Sequence, residues 1–256
     1  MLEAHGLVKL YGGTRAVDGV SFAVKPSDVL GYLGPNGSGK TTTVNMIVGL
    51  TQPTRGSVRL DGADIWQDIV GFRRRVGYVP EEPHLYPYLT GREYLDLVGR
   101  LRGLPGPLLD RRAAALLGLF SLSADSGTPL SAYSKGMRQK VLICAALLHN
   151  PDLLVFDEPM SGLDAASAVM FRHLIKALAR AGKMVLYSSH ELEAVERVAA
   201  SVIVLDHGRA VAHDSVERLR VLMKRESLEQ IFSELVFTED PETVAGRIVD
   251  AMVTAG

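Results

Sequence analysis

Eight consecutive residues, Gly34-Pro35-Asn36-Gly37-Ser38-Gly39-Lys40-Thr41, constrain this chain more than any other stretch. They match G-x-x-x-x-G-K-[ST], a loop that forms where a buried strand turns into a helix. Val29-Leu30-Gly31-Tyr32-Leu33 reads as that strand, and Val44, Ile47 and Val48 mark the helix that follows. Glycines let the backbone curl until successive N–H groups aim at one anion, and the helix adds its positive end. Gly34, Asn36, Gly37, Ser38, Gly39 and Thr42 are expected to wrap the phosphates of a nucleotide. Lys40 is expected to reach the β- and γ-phosphates, and Thr41 to set its hydroxyl on Mg²⁺. By composition alone such a match arises on the order of once per hundred chains, and the strand and helix around it lower that further.

The rest of the chain repeats the same rhythm. Leu153-Leu154-Val155-Phe156, Met184-Val185-Leu186-Tyr187 and Val202-Ile203-Val204-Leu205 are continuous apolar runs, as strands covered on both faces require. Helical periods alternate with them, which predicts an α/β fold, a P-loop NTPase core with a mostly parallel sheet. From about Leu85 the pattern changes. Thr90-Gly91-Arg92-Glu93 has the spacing of a capping box, Tyr94, Leu95, Val98 and Leu101 continue it, and Leu104-Pro105-Gly106-Pro107 breaks the helix. After Arg220 helical spacing returns, with Leu228, Ile231, Phe232 and Leu235 on one face. Asp240-Pro241 looks like a further helix start, continued by Val244, Ile248 and Met252. The expected organisation is an ATP-binding core at residues 1–84 and 152–220, an inserted helical subdomain at 85–151, and an accessory helical tail at 221–256.

Bulk properties narrow the setting. The 256 residues exceed the roughly 100–200 typical of one domain. A net charge of −1 gives no overall pull toward nucleic acid, and no nucleic-acid partner is expected. The single Cys144 fits a reducing compartment. The sequence MLEAHGLVKLYGG lacks the pattern of a secretory signal, and no apolar run approaches the roughly 18 residues of a spanning helix. The chain is therefore expected to be soluble by itself, with any membrane spans supplied by another polypeptide.

Two carboxylates close the apolar run at Leu153, as Asp157 and Glu158. Parallel sheets present ligand sites at such strand ends. Asp157 suits a role in holding Mg²⁺ through water, and Glu158 suits a general base that polarises the attacking water. Ser134 followed by Gly136 opens a helix with Met137, Val141, Cys144 and Leu148 on its apolar positions, a ready anion site as well as an ordinary cap. His190 can donate a hydrogen bond to a γ-phosphate oxygen or orient the water. Asp164 can cap the helix that begins at Ala165.

Taken together, these motifs resemble the nucleotide-binding subunits of ABC transporters from about Leu2 to Arg220. Tyr133-Ser134-Lys135-Gly136-Met137 stands where the family's signature should be, Ser161-Gly162-Leu163-Asp164 matches its D-loop, and His190 matches its switch histidine. Tyr11 falls where members stack a ring on adenine. The resemblance implies ATP hydrolysis by a dimer in which Ser134 and Gly136 serve the partner subunit's γ-phosphate, with Asp164 contacting across. It also implies a transmembrane permease partner and a cytoplasmic position at the inner face of the membrane. Two departures stand out. Glu81 occupies the place of a usual Gln near Mg²⁺, and Lys135 replaces a usual Gly of the signature. The signature variant and the segment Leu228-Glu229-Gln230-Ile231-Phe232 are similar to bacterial exporters whose ATPase and permease are separate chains. The competing readings are a soluble ABC-type ATPase acting on ribosomes or DNA, and a nucleotide-dependent regulator.

Overall fold

The computed structural model describes residues 1–190, 192–224, 227–236, 243–245 and 247. The expected helix start at Asp240-Pro241 and its continuation at Ile248 and Met252 lie outside the described residues, while Val244 lies in a short helical stretch. The chain begins with two long strands, β1 (Leu2–Tyr11) and β2 (Thr14–Val24), before β3 (Val29–Leu33) and α1 (Lys40–Ile47). Then come β4 (Arg55–Leu60), β5 (Ala63–Asp64), α2 (Ile69–Arg74) and β6 (Val76–Val79). Three helices follow, α3 (Gly91–Leu101), α4 (Gly106–Leu119) and α5 (Lys135–Leu147), with a short 3₁₀ turn at Leu130–Ala132. The remainder alternates as β7 (Leu153–Asp157), α6 (Ala165–Arg180), β8 (Met184–Ser188), α7 (Leu192–Glu196) and β9 (Ser201–Asp206). It closes with β10 (Arg209–Ser215), α8 (Val216–Met223) and α9 (Leu228–Val236).

The main sheet runs in the order β10-β9-β3-β8-β7-β6, and every pair is parallel except the edge pair β10–β9. Parallel neighbours need crossover connections rather than tight hairpins, which lets strands distant in the chain pair, and β3 sits between β8 and β9. Side chains alternate across this sheet. Leu30, Tyr32, Val155, Leu186 and Ile203 join one core, while Val29, Leu33, Phe156, Tyr187 and Val204 join the other. That alternation explains why the strands read as unbroken apolar runs.

A second sheet was not expected from the sequence. β2-β1-β4-β5 form a wholly antiparallel layer, and α1 is held between it and the main sheet by Val44, Met46 and Ile47. On the other face of the main sheet lie α5, α6 and α7, joined by α3 and α4 through Leu95, Leu109, Ala113 and Leu117 in one continuous core. The capping box is present: Thr90 Oγ1 accepts from Glu93 N at 3.1 Å, and Thr90 N donates to Glu93 at 2.8 Å. α9 is not a free appendage. Leu228 and Ile231 are buried in the same core, and α9 packs on α7 and α8.

One glycine fixes α7. A Cβ at Gly31 in β3 would stand 2.4 Å from a methyl of Val195, so the helix can lie on the sheet only where β3 has no side chain.

Candidate nucleotide site

Three adjacent parallel strands, β3, β8 and β7, end on one side of the sheet, and a cavity of about 690 Å³ opens there. Its wall contains Gly34, Asn36, Gly37, Gly39, Thr41 and Thr42 from the loop and start of α1. Pro35 and Lys40 complete the loop's share, while Ser38 is buried behind the wall. The loop's shape depends on two close approaches. Gly39, the N-cap of α1, has φ 99°, and a Cβ there would lie 2.4 Å from the carbonyl oxygen of Ala16. Gly34 packs so tightly that a Cβ would meet Ser38 Oγ at 2.4 Å and Leu205 O at 2.6 Å. Any other residue at either place would push the N–H groups off their common target.

Lys40 is buried, and its Nζ donates to the carbonyl oxygens of Gly34 and Pro35 at 2.7 and 3.1 Å. Burial lowers its pKa, while the charges of Glu158, Asp157 and Glu81 oppose that shift. Two of the three ammonium donors hold the loop closed, which leaves one for an anion.

Asp157 ends β7 and is 1% exposed. Burial pushes its carboxyl up to about 6; the nearby Ser188 hydroxyl opposes that shift, the charges of Glu81 and Glu158 add to it, and Lys40 opposes it further. Its Oδ2 has no hydrogen-bond partner among the described residues, and the residue faces the cavity. A buried carboxylate oxygen without a donor, next to Thr41 and Glu81, fits a hard cation carried in with phosphate oxygens and water. Among the described residues no three His, Cys, Asp or Glu side chains converge closely enough to hold a metal by themselves.

Glu158 takes φ 47°, a left-handed backbone that a non-glycine residue adopts at a cost of about 1–2 kcal/mol. Its N–H donates to Ser188 O at 3.0 Å, tying the strained turn to the end of β8. The side chain is thereby swung into the cavity. Oε1 lies 2.9 Å from His190 Nδ1, and Oε2 accepts from Ser189 Oγ at 3.1 Å. An oriented carboxylate beside an imidazole can take a proton from water and steady the charge that results.

Other expected site residues lie elsewhere. Tyr11 ends β1, half exposed, with the Lys9 ammonium 5.2 Å from its ring centre, and it is not part of the cavity wall. Ser134, Gly136 and Asp164 are also outside that wall. Ser134 caps α5, its Oγ accepting from Met137 N at 3.1 Å. Asp164 caps α6, accepting from Ser167 N and Ser167 Oγ, both at 2.8 Å. These two helix starts touch each other. Lys135 Nζ donates to Ser161 Oγ at 2.8 Å, and a Cβ on Gly136 would sit 2.6 Å from Gly162 O. The sequence reading missed Ala16, Leu192 and Phe232, which do line the cavity. Only the helical stripe through Phe232 hinted at any of them.

A parallel sheet with a glycine loop, a lysine and two carboxylates at its carboxyl edge defines a P-loop nucleotide-binding protein. The sequence profile of the ABC transporter family matches residues 17–161, and the chain belongs to that family. It is 37% identical to the daunorubicin/doxorubicin resistance ATP-binding protein DrrA of Streptomyces peucetius, over 97% of this chain and 81% of that protein. It is 38% identical to the ABC transporter ATP-binding protein NatA of Bacillus subtilis, over 87% of this chain and 91% of that one. Among solved structures, an ATP-binding subunit of an ABC transporter superposes with a TM-score of 0.87 at 32% identity, covering 92% of this chain and 99% of that chain. The ATP-binding cassette MJ0796, as a post-hydrolysis dimer with ADP and Pi, gives 0.78 at 25% identity, covering 84% and 98%. The chain is an ATP-binding cassette with ATPase activity. No helix among the described residues is long and apolar enough to cross a membrane.

Proposed function

We propose that this chain is the motor subunit of an ABC exporter, working as a dimer on the inner face of the membrane through a transmembrane permease. The observation that carries the hydrolytic part is the Glu158–His190 pair at 2.9 Å beside buried Asp157, over the phosphate loop. Export is supported by relatives named for it, among them the Nod factor export ATP-binding protein I of Ralstonia nicotianae, 37% identical over 86% of this chain and 68% of that protein. Dimerisation is supported by the MJ0796 cassette, whose solved form is a dimer.

In this reading residues 34–42 and Lys40 hold the phosphates, and Tyr11 stacks on the adenine. Thr41, Asp157 and Glu81 are the residues that would hold Mg²⁺, which when bound would supply positive charge for the phosphate oxygens. Glu158 takes a proton from the attacking water, the new P–O bond forms at the γ-phosphorus, and the bond to ADP breaks. His190 orients Glu158 and steadies the γ-phosphate oxygens. Ser134 and Gly136, lying outside their own chain's cavity, meet the partner's γ-phosphate, with Asp164 beside them. The core at residues 1–84 and 152–220 then carries the chemistry, the helical part at 85–151 carries the signature, and 221–256 form the tail. The test is Glu158→Gln. Turnover should vanish while MgATP produces a stable dimer by light scattering, and the wild type should co-purify with a polytopic membrane protein. A wild type that stays monomeric with MgATP, or purifies without such a partner, overturns the exporter reading.

A further inference from the structure

α9 stands far along the chain from every loop of the nucleotide site, yet its Phe232 is part of the cavity wall. The way it gets there is visible in the packing. Leu228 and Ile231, at 1% and 0% exposure, anchor α9 in the large core. The helix lies against α7, whose first residue, Leu192, also faces the cavity. α7 is in turn seated on β3 at Gly31 and begins two residues after His190. α9 is therefore packed against the helix that follows the histidine. Apart from Ala16 and Pro35, Leu192 and Phe232 are the apolar side chains among the described residues of a wall otherwise made of polar and charged groups.

Apolar surface in the cavity of a buried carboxylate has a definite effect. Bulk water at Glu158 competes for the hydrogen bonds that orient the carboxylate and the attacking molecule. The His190 side chain is exposed, but the Glu158 side chain is only 9% exposed. We infer that Phe232 is a positioning residue for hydrolysis: with Leu192 it limits the water that reaches the Glu158 carboxylate of its own chain. The inference rests on the assignment of hydrolysis to that pair. It makes the tail a working part of the chain's own site rather than a cover for an edge.

The test uses the full chain and steady-state ATPase kinetics. Phe232→Ala is expected to lower kcat about five- to tenfold with KM for ATP within about twofold, because a group that acts on the chemical step moves kcat and not binding. Phe232→Leu, which keeps apolar volume, should retain most of the rate. Glu229→Ala, on the exposed face of the same helix, should match the wild type. Thermal melting of each variant separates these effects from unfolding. In a Trp66→Phe background, Phe232→Trp should change its emission saturably as MgATP binds. Unchanged or increased kcat in Phe232→Ala, an equal loss in Phe232→Leu, or a silent tryptophan at 232 overturns the inference. If instead Glu158→Gln still turns over, it is the hydrolytic assignment that fails.

Discussion

Replacing Gly39 by alanine should separate two costs that usually arrive together. The first is conformational: at φ 99° an alanine is strained by about 1–2 kcal/mol. The second is steric, since the new Cβ would lie 2.4 Å from the Ala16 carbonyl oxygen, and a backbone oxygen cannot swing away as a side chain can. Relieving that contact means shifting α1 from β2, an overpacking cost of about 1–3 kcal/mol. Gly37 supplies the comparison within the same loop. Its φ is 80° and an added Cβ meets nothing within 4 Å, so Gly37→Ala carries the first cost alone. By denaturant unfolding, Gly37→Ala should lose about 1–2 kcal/mol and Gly39→Ala about 2–5. The excess should also appear in ATP binding. A shift of the α1 N-terminus misdirects its N–H groups, and fluorescent-nucleotide titration should show Gly39→Ala at least about tenfold weaker than Gly37→Ala, roughly 1.4 kcal/mol. Equal stability and equal binding in the two variants would refute the argument that contact with Ala16 is what requires glycine at 39.

Three further outcomes are expected. Ser134→Ala removes the cap bond to Met137 and should cost about 1 kcal/mol by thermal unfolding, leave ATP binding to the monomer unchanged, and weaken the MgATP-dependent dimer in light scattering; intact dimerisation would reduce Ser134 to a cap. Glu81→Gln should keep most of the ATPase rate and Glu81→Ala should lose it, since only the former retains an oxygen beside Thr41 and Asp157; equal rates in the two would remove Glu81 from the Mg²⁺ site. His149 donates from Nε2 to Val76 O at 3.0 Å, and burial, helped by the Arg102 charge, lowers its pKa from 6.5 to about 4. Between those values the unfolded chain binds a proton that the folded chain refuses, so its contribution is complete above pH 6.5 and is lost as pH falls toward 4. Asp157, with its raised pKa, runs the opposite way, so the readout is the difference between wild type and His149→Gln in urea unfolding from pH 7.5 to 4.5: the variant should show the shallower acid loss.

What could be read from the sequence followed from how each part is built. The four central strands announce themselves because both of their faces are buried, and the loop before Lys40 because its chemistry permits few other residues. Asp157 and Glu158 were legible as the polar end of an apolar run. The antiparallel layer was not. β1 changes register at three places along β2, which breaks the alternation that would reveal a half-buried strand. β6 is four residues long and one is glycine. The sequence showed Phe232 on a helical stripe but could not place it or Leu192 at the cavity, because α9 lying against α7 is a tertiary contact with no local signature. The hydrogen bond from Lys135 to Ser161 likewise joins two motifs that the sequence presents as separate.

The strand order has a consequence for how the protein comes into being on the ribosome. β3, which delivers the phosphate loop, finds its hydrogen-bond partners in β8 and β9, with Val29 opposite Val185 and Gly31 opposite Val202. At about 5–20 residues per second of synthesis, that strand waits roughly 8 to 30 s for its neighbours to be made. Through that interval Leu30, Tyr32 and Leu33 are apolar groups without a sheet, held back from aggregation only by the antiparallel layer and α1 that precede or immediately follow them. A nascent chain that stalls before residue 184 carries a complete glycine loop and no strand on either side of it. Such a fragment leaves both edges of β3 unpaired, and the parallel sheet can close around that strand only after β8 and β9 have been made.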